Sequence, residues 1–305
     1  MCIAEVRGDD NLTVSAPEPV GDPATLLHRL VEYADEQVFV GFDFPIGIPA
    51  SYATSIGVVS FPEFLRNLGG GAFSRFFDVA ENAAEITTNR PFYPKKSNCG
   101  AKRQHLVDGL KATEYTELLR RCELKTENRG DACSLFWTLG GQQVGRAAII
   151  GWRDVLRPAL LDLSMDIALW PFDGDLHVLL NRHQVVVAET YPAEAAVHIG
   201  IGVPGRGWSK RSQPDRAKKS AAIHQFVERA GITLSQELQA QLLEGFGASE
   251  DGEDPFDATV GLFSMLAVVR GLRPAGTPPP GTVRNVEGWI LGQEIRPLPT
   301  ILLAV

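Results

Sequence analysis

Two nearly continuous apolar runs, each ending in an acidic residue, constrain the fold of this 305-residue chain more than any other feature. Residues 37–44 read QVFVGFDF and residues 185–190 read VVVAET, so Asp43 closes the first run and Glu189 the second. Runs without polar alternation are typical of strands that are buried on both faces, as in parallel sheets covered by helices. We therefore predict an α/β fold with both runs in its sheet.

Weaker patterns predict the elements around these two strands. Apolar and polar residues alternate in short segments, which predicts further strands, and apolar residues recur every three to four positions elsewhere, which predicts helices. The additional strands are predicted at residues 2–6, 12–15, 166–170 and 176–180. The helices are predicted at residues 24–34, 214–230, 235–244 and 254–269.

The long interval between the two apolar runs is predicted to be mainly helical. Residues 50–165 contain no clear strand pattern, and helical spacing recurs at residues 61–68, 73–80, 115–121 and 144–161. No linker-like stretch bounds this interval, so we predict a helical insertion within one domain that covers residues 1–305.

Composition narrows the class of protein. The net charge of −8 argues against a protein that coats nucleic acid without sequence preference, although it leaves room for a local basic groove. No stretch approaches the ~20 apolar residues that span a bilayer, so we expect no membrane partner. The first residues lack a secretory pattern, and the cysteines are scattered, at Cys2, Cys99, Cys122 and Cys133. We therefore expect a cytoplasmic protein with reduced thiols.

Acidic residues are predicted to gather at one edge of the sheet. In open α/β sheets the carboxyl ends of the strands meet where ligands bind, and Asp43 and Glu189 both lie at such ends. Asp254 and Asp257 begin the last predicted helix. If that helix lies beside the strands, all four carboxylates can act as ligands of Mg²⁺ or Mn²⁺, with Asp43, Glu189 and Asp257 as the catalytic acids.

Each acid also has a purely structural interpretation. Asp254 suits the N-cap of its helix, and Asp257 at the third helical position would be favoured by the helix dipole. Asp43 could be a turn residue that accepts backbone hydrogen bonds. Glu189 should be buried and therefore needs a partner, either a metal ion or an arginine such as Arg182.

Basic residues near position 210 provide candidate phosphate contacts. We predict that Arg206, Lys210 and Arg211 contact the phosphates of a substrate. The alternative is a solvated charged face, which is the commoner role of a basic run.

Four segments carry a resemblance to a known family. VGFDFPIGIP at residues 40–49, AETYPAEA at 188–195, GEDPFDATVGLFSML at 252–266 and VEGWILG at 286–292 resemble the domain-of-unknown-function family 429. The resemblance implies a ribonuclease H-like fold, with a mixed sheet flanked by helices, as in integrase-like nucleases and junction resolvases. It also implies an acidic site in which Asp43 ends the fourth strand of the family pattern.

The same resemblance places Glu189 and the pair Asp254 and Asp257 among the family's later acids. The family pattern, however, begins with a strand carrying Gly-x-Asp, and residues 2–6 resemble its second strand. We therefore expect that the start is misassigned or shortened. A chain that lacked this first acid would be a weak two-metal nuclease and better suited to binding.

Three functions follow from these observations. The first is metal-dependent hydrolysis of phosphodiester bonds in a nucleic acid or nucleotide. The second is a non-catalytic module that binds nucleic acid or a protein partner on the same fold. The third is phosphoryl transfer of the actin or sugar-kinase type, which the absence of a phosphate-binding glycine loop in the sequence disfavours.

Overall fold

We describe the protein from a computed structural model that covers residues 1–7, 11–34, 37–96, 100–139, 144–248 and 251–295. The strands are β1 (Ala4–Arg7), β2 (Asn11–Val14), β3 (Val38–Phe42), β4 (Ile167–Leu169), β5 (Val185–Glu189) and β6 (Ile232–Leu234). The helices are α1 (Leu26–Tyr33), α2 (Ala50–Ser55), α3 (Phe61–Asn67), α4 (Gln104–Leu110), α5 (Val144–Ile150), α6 (Arg157–Leu161), α7 (Leu176–Leu180), α8 (Pro192–His198), α9 (Gln213–Lys218), α10 (Ser220–Ala230), α11 (Gln236–Glu244) and α12 (Glu253–Val269).

The strands form two sheets in the described part of the chain. In one, β5 lies between β3 and β4, and all three strands are parallel. In the other, β2 pairs antiparallel with β1 and parallel with β6. The protein is therefore α/β as predicted, but its strands are divided between a parallel and a mixed sheet.

The two apolar runs occupy different positions in the parallel sheet. All five residues of β5 are buried, because strands flank it on both sides and helices cover its faces. The residues of β3 are only half-buried, because β3 lies at the edge of the sheet. The prediction of burial on both faces is confirmed for β5, whereas for β3 it is wrong.

Helix α12 packs on both sheets. Its residue Phe263 shares an apolar cluster with Leu12 of β2, and Met265 shares another with Ala188 of β5. Gly41 in β3 permits this approach, since a Cβ atom there would overlap the sulfur atom of Met265. The helix therefore carries its N-terminal acids to a fixed position relative to β3.

Residues 50–165 contain helices and turns and, among the described residues, no strand. Aromatic rings fill its core with edge-on contacts, such as 5.1 Å between the ring centroids of Phe61 and Trp152 and 5.4 Å between those of Phe76 and Phe92. Val187 of β5 belongs to the same apolar cluster. The predicted helical region thus packs directly against the parallel sheet.

The segment 176–180, predicted to be a strand, is helix α7. Leu176 and Leu179 are buried, whereas His177 and Val178 between them are exposed. This is the three-residue spacing of a helix, which a short leucine-rich segment hides because its apolar content suits either structure.

Two predicted helices in the insertion are also wrong. Residues 73–80 form turns after a short 3₁₀ turn at Gly71–Phe73. Residues 115–121 contain one 3₁₀ turn, Tyr115–Leu118, and the first residue of a second, Arg121–Glu123. Phe76 is fully buried among other rings, so aromatic packing, and not helical periodicity, explains the apolar residues there.

Two further observations concern the predicted cellular context. None of the described helices is long and apolar enough to cross a membrane. Cys2, Cys122 and Cys133 are free thiols, and Cys99 lies outside the described residues.

Candidate active site at the end of strand β3

Asp43 is the first residue after strand β3, and together with the nearby acids Asp254 and Asp257 of helix α12 it forms a group that we call the acidic cleft. Phe42 lies opposite Glu189 in the parallel register, so Asp43 lies just beyond the edge at which β3 and β5 end. The residue is exposed to solvent, yet protein atoms surround its carboxyl group closely enough to desolvate it.

The carboxyl group of Asp43 has a pKa raised from 3.8 to about 7. Desolvation is the largest cause, and the negative charges of Asp257, Glu189 and Asp254 add to it, while Lys210 opposes the shift. No hydrogen bond or ion pair from the described residues reaches this carboxyl group, which excludes the turn role considered from the sequence. A carboxyl group with a pKa near 7 is suited to accept or donate a proton at neutral pH.

Helix α12 supplies the neighbouring acids from its first turns. The helix begins at Glu253 and its cap position is Gly252, so Asp254 is not the N-cap that the sequence suggested. Residues three or four positions apart share a helix face, which brings Asp254 and Glu253 to the side of Asp257. Asp254 is exposed, and its carboxylate makes no hydrogen bond or ion pair with the described residues.

Lys210 lies among the acids of α12. Its Nζ atom lies 3.1 Å from Oε1 of Glu253 and donates a hydrogen bond to Oδ2 of Asp257. Burial lowers the pKa of Lys210, but the two carboxylates outweigh this effect and raise it above the usual value. Desolvation nevertheless raises the pKa of Asp257. The ammonium group is therefore a fixed positive charge within an acidic cleft.

The loop that carries Lys210 is anchored by two buried side chains. Trp208 packs edge-on against Phe256 of α12, with 6.0 Å between the ring centroids. Arg216 is buried and donates to the carbonyl oxygen of Lys210 at 2.5 Å and to that of Gly245 at 2.8 Å. These contacts hold Lys210 beside the first turns of α12.

The other two predicted phosphate contacts lie in different surroundings. Arg211 is largely exposed, with its Nε atom 3.6 Å from Oε2 of Glu253, so it borders the acidic cleft. Arg206 instead donates to the carbonyl oxygen of Glu127 at 3.2 Å. The structure thus brings Lys210 and Arg211 to the acids and directs Arg206 elsewhere.

Glu189 is engaged by an arginine. Its two carboxylate oxygens each lie 2.6 Å from a terminal nitrogen of Arg120, and Oε2 also accepts the backbone N–H of Ile46 at 2.7 Å. Desolvation raises the pKa of Glu189, and the bidentate contact with Arg120 opposes that shift. The partner expected from the sequence, Arg182, is not the one the fold provides. Since both oxygens are occupied, this geometry argues against Glu189 as a metal ligand.

Arg120 is fully buried and connects four segments of the chain. Its Nε atom donates to Glu123 at 3.0 Å, and Nη1 donates to the carbonyl oxygens of Ile46 and Glu287 at 3.2 Å each. Sequence reasoning missed Arg120 and Glu123 because they lie in a segment with only a weak helical pattern. Glu287 lies in the VEGWILG segment at residues 286–292, and the resemblance of that segment is the one sequence signal that points to this cluster.

Tyr191 is a further residue near Asp43 that the sequence did not single out. Burial raises the pKa of its hydroxyl group, and the charges of Arg129, Asp43 and Lys210 also act on it. The guanidinium carbon of Arg129 lies 5.3 Å from the centre of the ring. Tyr191 therefore lies close to the acidic cleft.

The acidic side chains around Asp43 provide some, but not all, of the ligands that a divalent cation needs. Among the described residues, no group of three or more His, Cys, Asp or Glu side chains is assembled to hold a metal ion. Asp43 and Asp254 offer free carboxylate oxygens of the type that Mg²⁺ and Mn²⁺ prefer. The third candidate ligand, Asp257, is bonded to Lys210.

Comparisons with known proteins identify no relative of this chain. The chain matches no family model, no curated protein and no solved structure. Function must therefore be argued from the geometry and charge of these residues.

Proposed function

We propose that the chain hydrolyses phosphodiester bonds in a nucleic acid or a nucleotide with the help of Mg²⁺ or Mn²⁺. The observation that supports this most is the carboxyl group of Asp43, which has no hydrogen-bond or ion-pair partner among the described residues. Desolvation raises the pKa of this group to about 7, and the nearby charges of Asp257 and Asp254 add to the shift. Carboxylates that repel one another in this way bind either a proton or a cation.

We also propose that the fold is of the ribonuclease H-like type that the sequence resemblance implies. In support, an antiparallel pair, β1 and β2, comes first in the chain, and the parallel strands β3 and β5 follow with helices around them. An acid follows β3, at the position that the resemblance gives to the acid of the fourth strand.

The chain's own residues would divide the work as follows. Asp43 and Asp254 would hold the cation, and Asp257 would join them once its contact with Lys210 opens. Lys210, released in this way, would contact a substrate phosphate together with Arg211 as a positive charge. When bound, the cation supplies an activated water and stabilises the leaving oxygen.

A second candidate is a non-catalytic module that binds nucleic acid or a protein partner. The observation in its favour is that two of the predicted catalytic acids are already neutralised: Glu189 by Arg120 and Asp257 by Lys210. A site whose charges are balanced internally gains less from a metal ion, and it can serve as a polar binding surface.

Titration calorimetry with Mn²⁺ tests the metal site. Wild type is compared with Asp43→Asn and with Asp108→Asn, which removes an exposed carboxylate from α4. We expect Mn²⁺ binding in wild type and in Asp108→Asn, and a loss of at least about tenfold in affinity in Asp43→Asn. Hydrolysis of a chromogenic phosphodiester and of labelled DNA and RNA is measured on the same samples.

The outcomes separate the two candidates. Mn²⁺ binding and hydrolysis that both depend on Asp43 support the hydrolase. Binding of nucleic acid without hydrolysis, in the presence of saturating Mn²⁺, favours the binding module. Wild type that binds no Mn²⁺, or binding that Asp43→Asn leaves unchanged, refutes the metal site.

A further inference from the structure

Several buried hydrogen bonds hold the loop that follows Asp43, at residues 44–50. Both backbone groups of Ile46 are bonded, the N–H to Glu189 at 2.7 Å and the carbonyl oxygen to Arg120 at 3.2 Å. The carbonyl oxygen of Pro45 accepts the indole N–H of Trp152 at 2.7 Å. These three partners come from β5 and from the helical region, so distant parts of the chain meet at one loop.

The far end of the loop is bonded to residues near the C-terminal part of the described chain. The N–H of Ile48 donates to the carbonyl oxygen of Val286 at 2.8 Å, and that of Ala50 donates to Oε1 of Glu287 at 3.0 Å. Gly47 has a φ of +135°, and a Cβ atom there would overlap the carbonyl oxygen of Glu287. The backbone of residues 45–50 is therefore tightly constrained.

Asp43 lies between two such fixed points. On one side, Phe42 is in the sheet, and its carbonyl oxygen accepts the N–H of Thr190 at 2.9 Å. On the other side, Ile46 is held by Glu189 and Arg120. Only three residues, 43–45, join these points, and the third is a proline that is itself bonded to Trp152. The direction of the Asp43 side chain follows from these anchors, because its carboxyl group makes no hydrogen bond or ion pair with the part of the chain that the structure describes.

We propose that Glu189 is a positioning residue that, paired with Arg120, holds residues 43–50 so that the carboxyl group of Asp43 stays in the acidic cleft, free of hydrogen bonds and ion pairs to the described residues. This inference rests on the proposed function, because its effect on Mn²⁺ affinity requires that Asp43 binds the cation. It assigns to Glu189 a role other than metal ligand. The buried ion pair bonds both backbone groups of Ile46, because Glu189 accepts its N–H and Arg120 donates to its carbonyl oxygen.

Two glutamates bonded to the same arginine allow a matched test. Glu123 is also buried and also pairs with Arg120, at 2.9 Å between its Oε1 and Nη2, but among the described residues it makes no hydrogen bond or ion pair with residues 43–50. The variant Glu189→Gln removes the charge that faces Arg120 and leaves one oxygen for three donors, the Ile46 N–H and two N–H groups of Arg120. Glu123→Gln also removes a buried charge from the same guanidinium but leaves the bonds of Glu189 to the loop in place. Circular dichroism establishes that each variant is folded.

Hydrogen exchange measured by mass spectrometry reports on the loop, and Mn²⁺ calorimetry reports on Asp43. We expect amide exchange in residues 43–50 to be at least about tenfold faster in Glu189→Gln than in wild type, since a lost anchor permits local opening. We expect Mn²⁺ affinity to fall by about 10- to 100-fold, the usual effect of losing a residue that orients a ligand. Glu123→Gln is expected to change both quantities by less than about threefold.

Glu189→Asp serves if the glutamine variant does not fold, because it keeps the charge facing Arg120 and withdraws the carboxylate from Ile46. Unchanged exchange in residues 43–50, or equal acceleration in Glu123→Gln, overturns the proposal. Faster exchange with unchanged Mn²⁺ affinity also overturns it, since the loop would then not position Asp43. If wild type binds no Mn²⁺, the proposed function fails, and the exchange comparison alone decides whether Glu189 holds the loop.

Discussion

Replacing Asp43 by asparagine should stabilise the fold, and the effect should grow as the pH rises. The folded chain holds the proton of Asp43 up to a pH of about 7, whereas the unfolded chain releases it near 3.8. The stability associated with protonated Asp43 is therefore complete below about pH 4 and is lost as the pH rises through about 7. Asparagine resembles the protonated acid, so the variant does not lose this stability.

The size of the effect follows from the same pKa values. Each pH unit between the folded and unfolded pKa corresponds to about 1.36 kcal/mol of unfolding free energy, so the full difference would amount to about 4 kcal/mol. Asp43 is more than one third exposed, and solvent screening reduces such contributions strongly. We therefore expect Asp43→Asn to be more stable than wild type by about 1 kcal/mol at pH 8.

Urea denaturation at pH 4, 6 and 8, without divalent cations, measures this difference. Wild type, Asp43→Asn and the surface control Asp108→Asn are compared through their midpoints and slopes. The Asp43→Asn difference should be close to zero at pH 4 and reach its full value above pH 7, while Asp108→Asn should follow wild type at each pH. A variant that is less stable than wild type at pH 8, or a difference that does not depend on pH, would refute the raised pKa of Asp43.

Three further predictions concern the residues around the cleft. Arg120→Met should lower the unfolding free energy by about 3–5 kcal/mol, because it leaves the buried carboxylates of Glu189 and Glu123 without their cation, and a loss below 1 kcal/mol in urea denaturation would contradict the buried pair. Gly47→Ala should cost about 2 kcal/mol or more through backbone strain and overlap, and an unchanged melting temperature would argue against the conformation described. Lys210→Met should cost about 1–2 kcal/mol at pH 7 and clearly less at pH 4, where Asp257, whose pKa is raised by desolvation, gains a proton, and an equal loss at both pH values would exclude the pairing with Asp257.

Much of the framework could be predicted from local patterns. The run at residues 185–190 identified a buried strand, because a segment without polar side chains is stable only when both faces are covered. Its final acid had to be buried with a partner, and the structure shows Glu189 buried and bonded. The apolar stretch after Asp254 likewise predicted the helix that became α12.

Short segments with no distinctive period could not be assigned in this way. Residues 176–180 are leucine-rich and fit a strand or a helix equally well, and only packing of Leu176 and Leu179 on one side decided for the helix. The aromatic segment around Phe76 suggested a helix, but its rings are accommodated by turns. Composition reports that a segment is buried, while the neighbours that bury it determine its backbone.

The two acidic strand ends could be found from the sequence alone, because hydrophobic pattern and residue type are local properties. What each acid does was decided by the tertiary structure, since an ion pair requires two groups to meet that are distant in the chain. Glu189 meets Arg120 across 69 residues, and Asp257 meets Lys210 across 47. Asp43 has no ion pair with the described residues, so of these three acids it is the one without a paired cation. No local pattern distinguishes these three environments, because they depend on which side chains the folded backbone brings within a few ångströms.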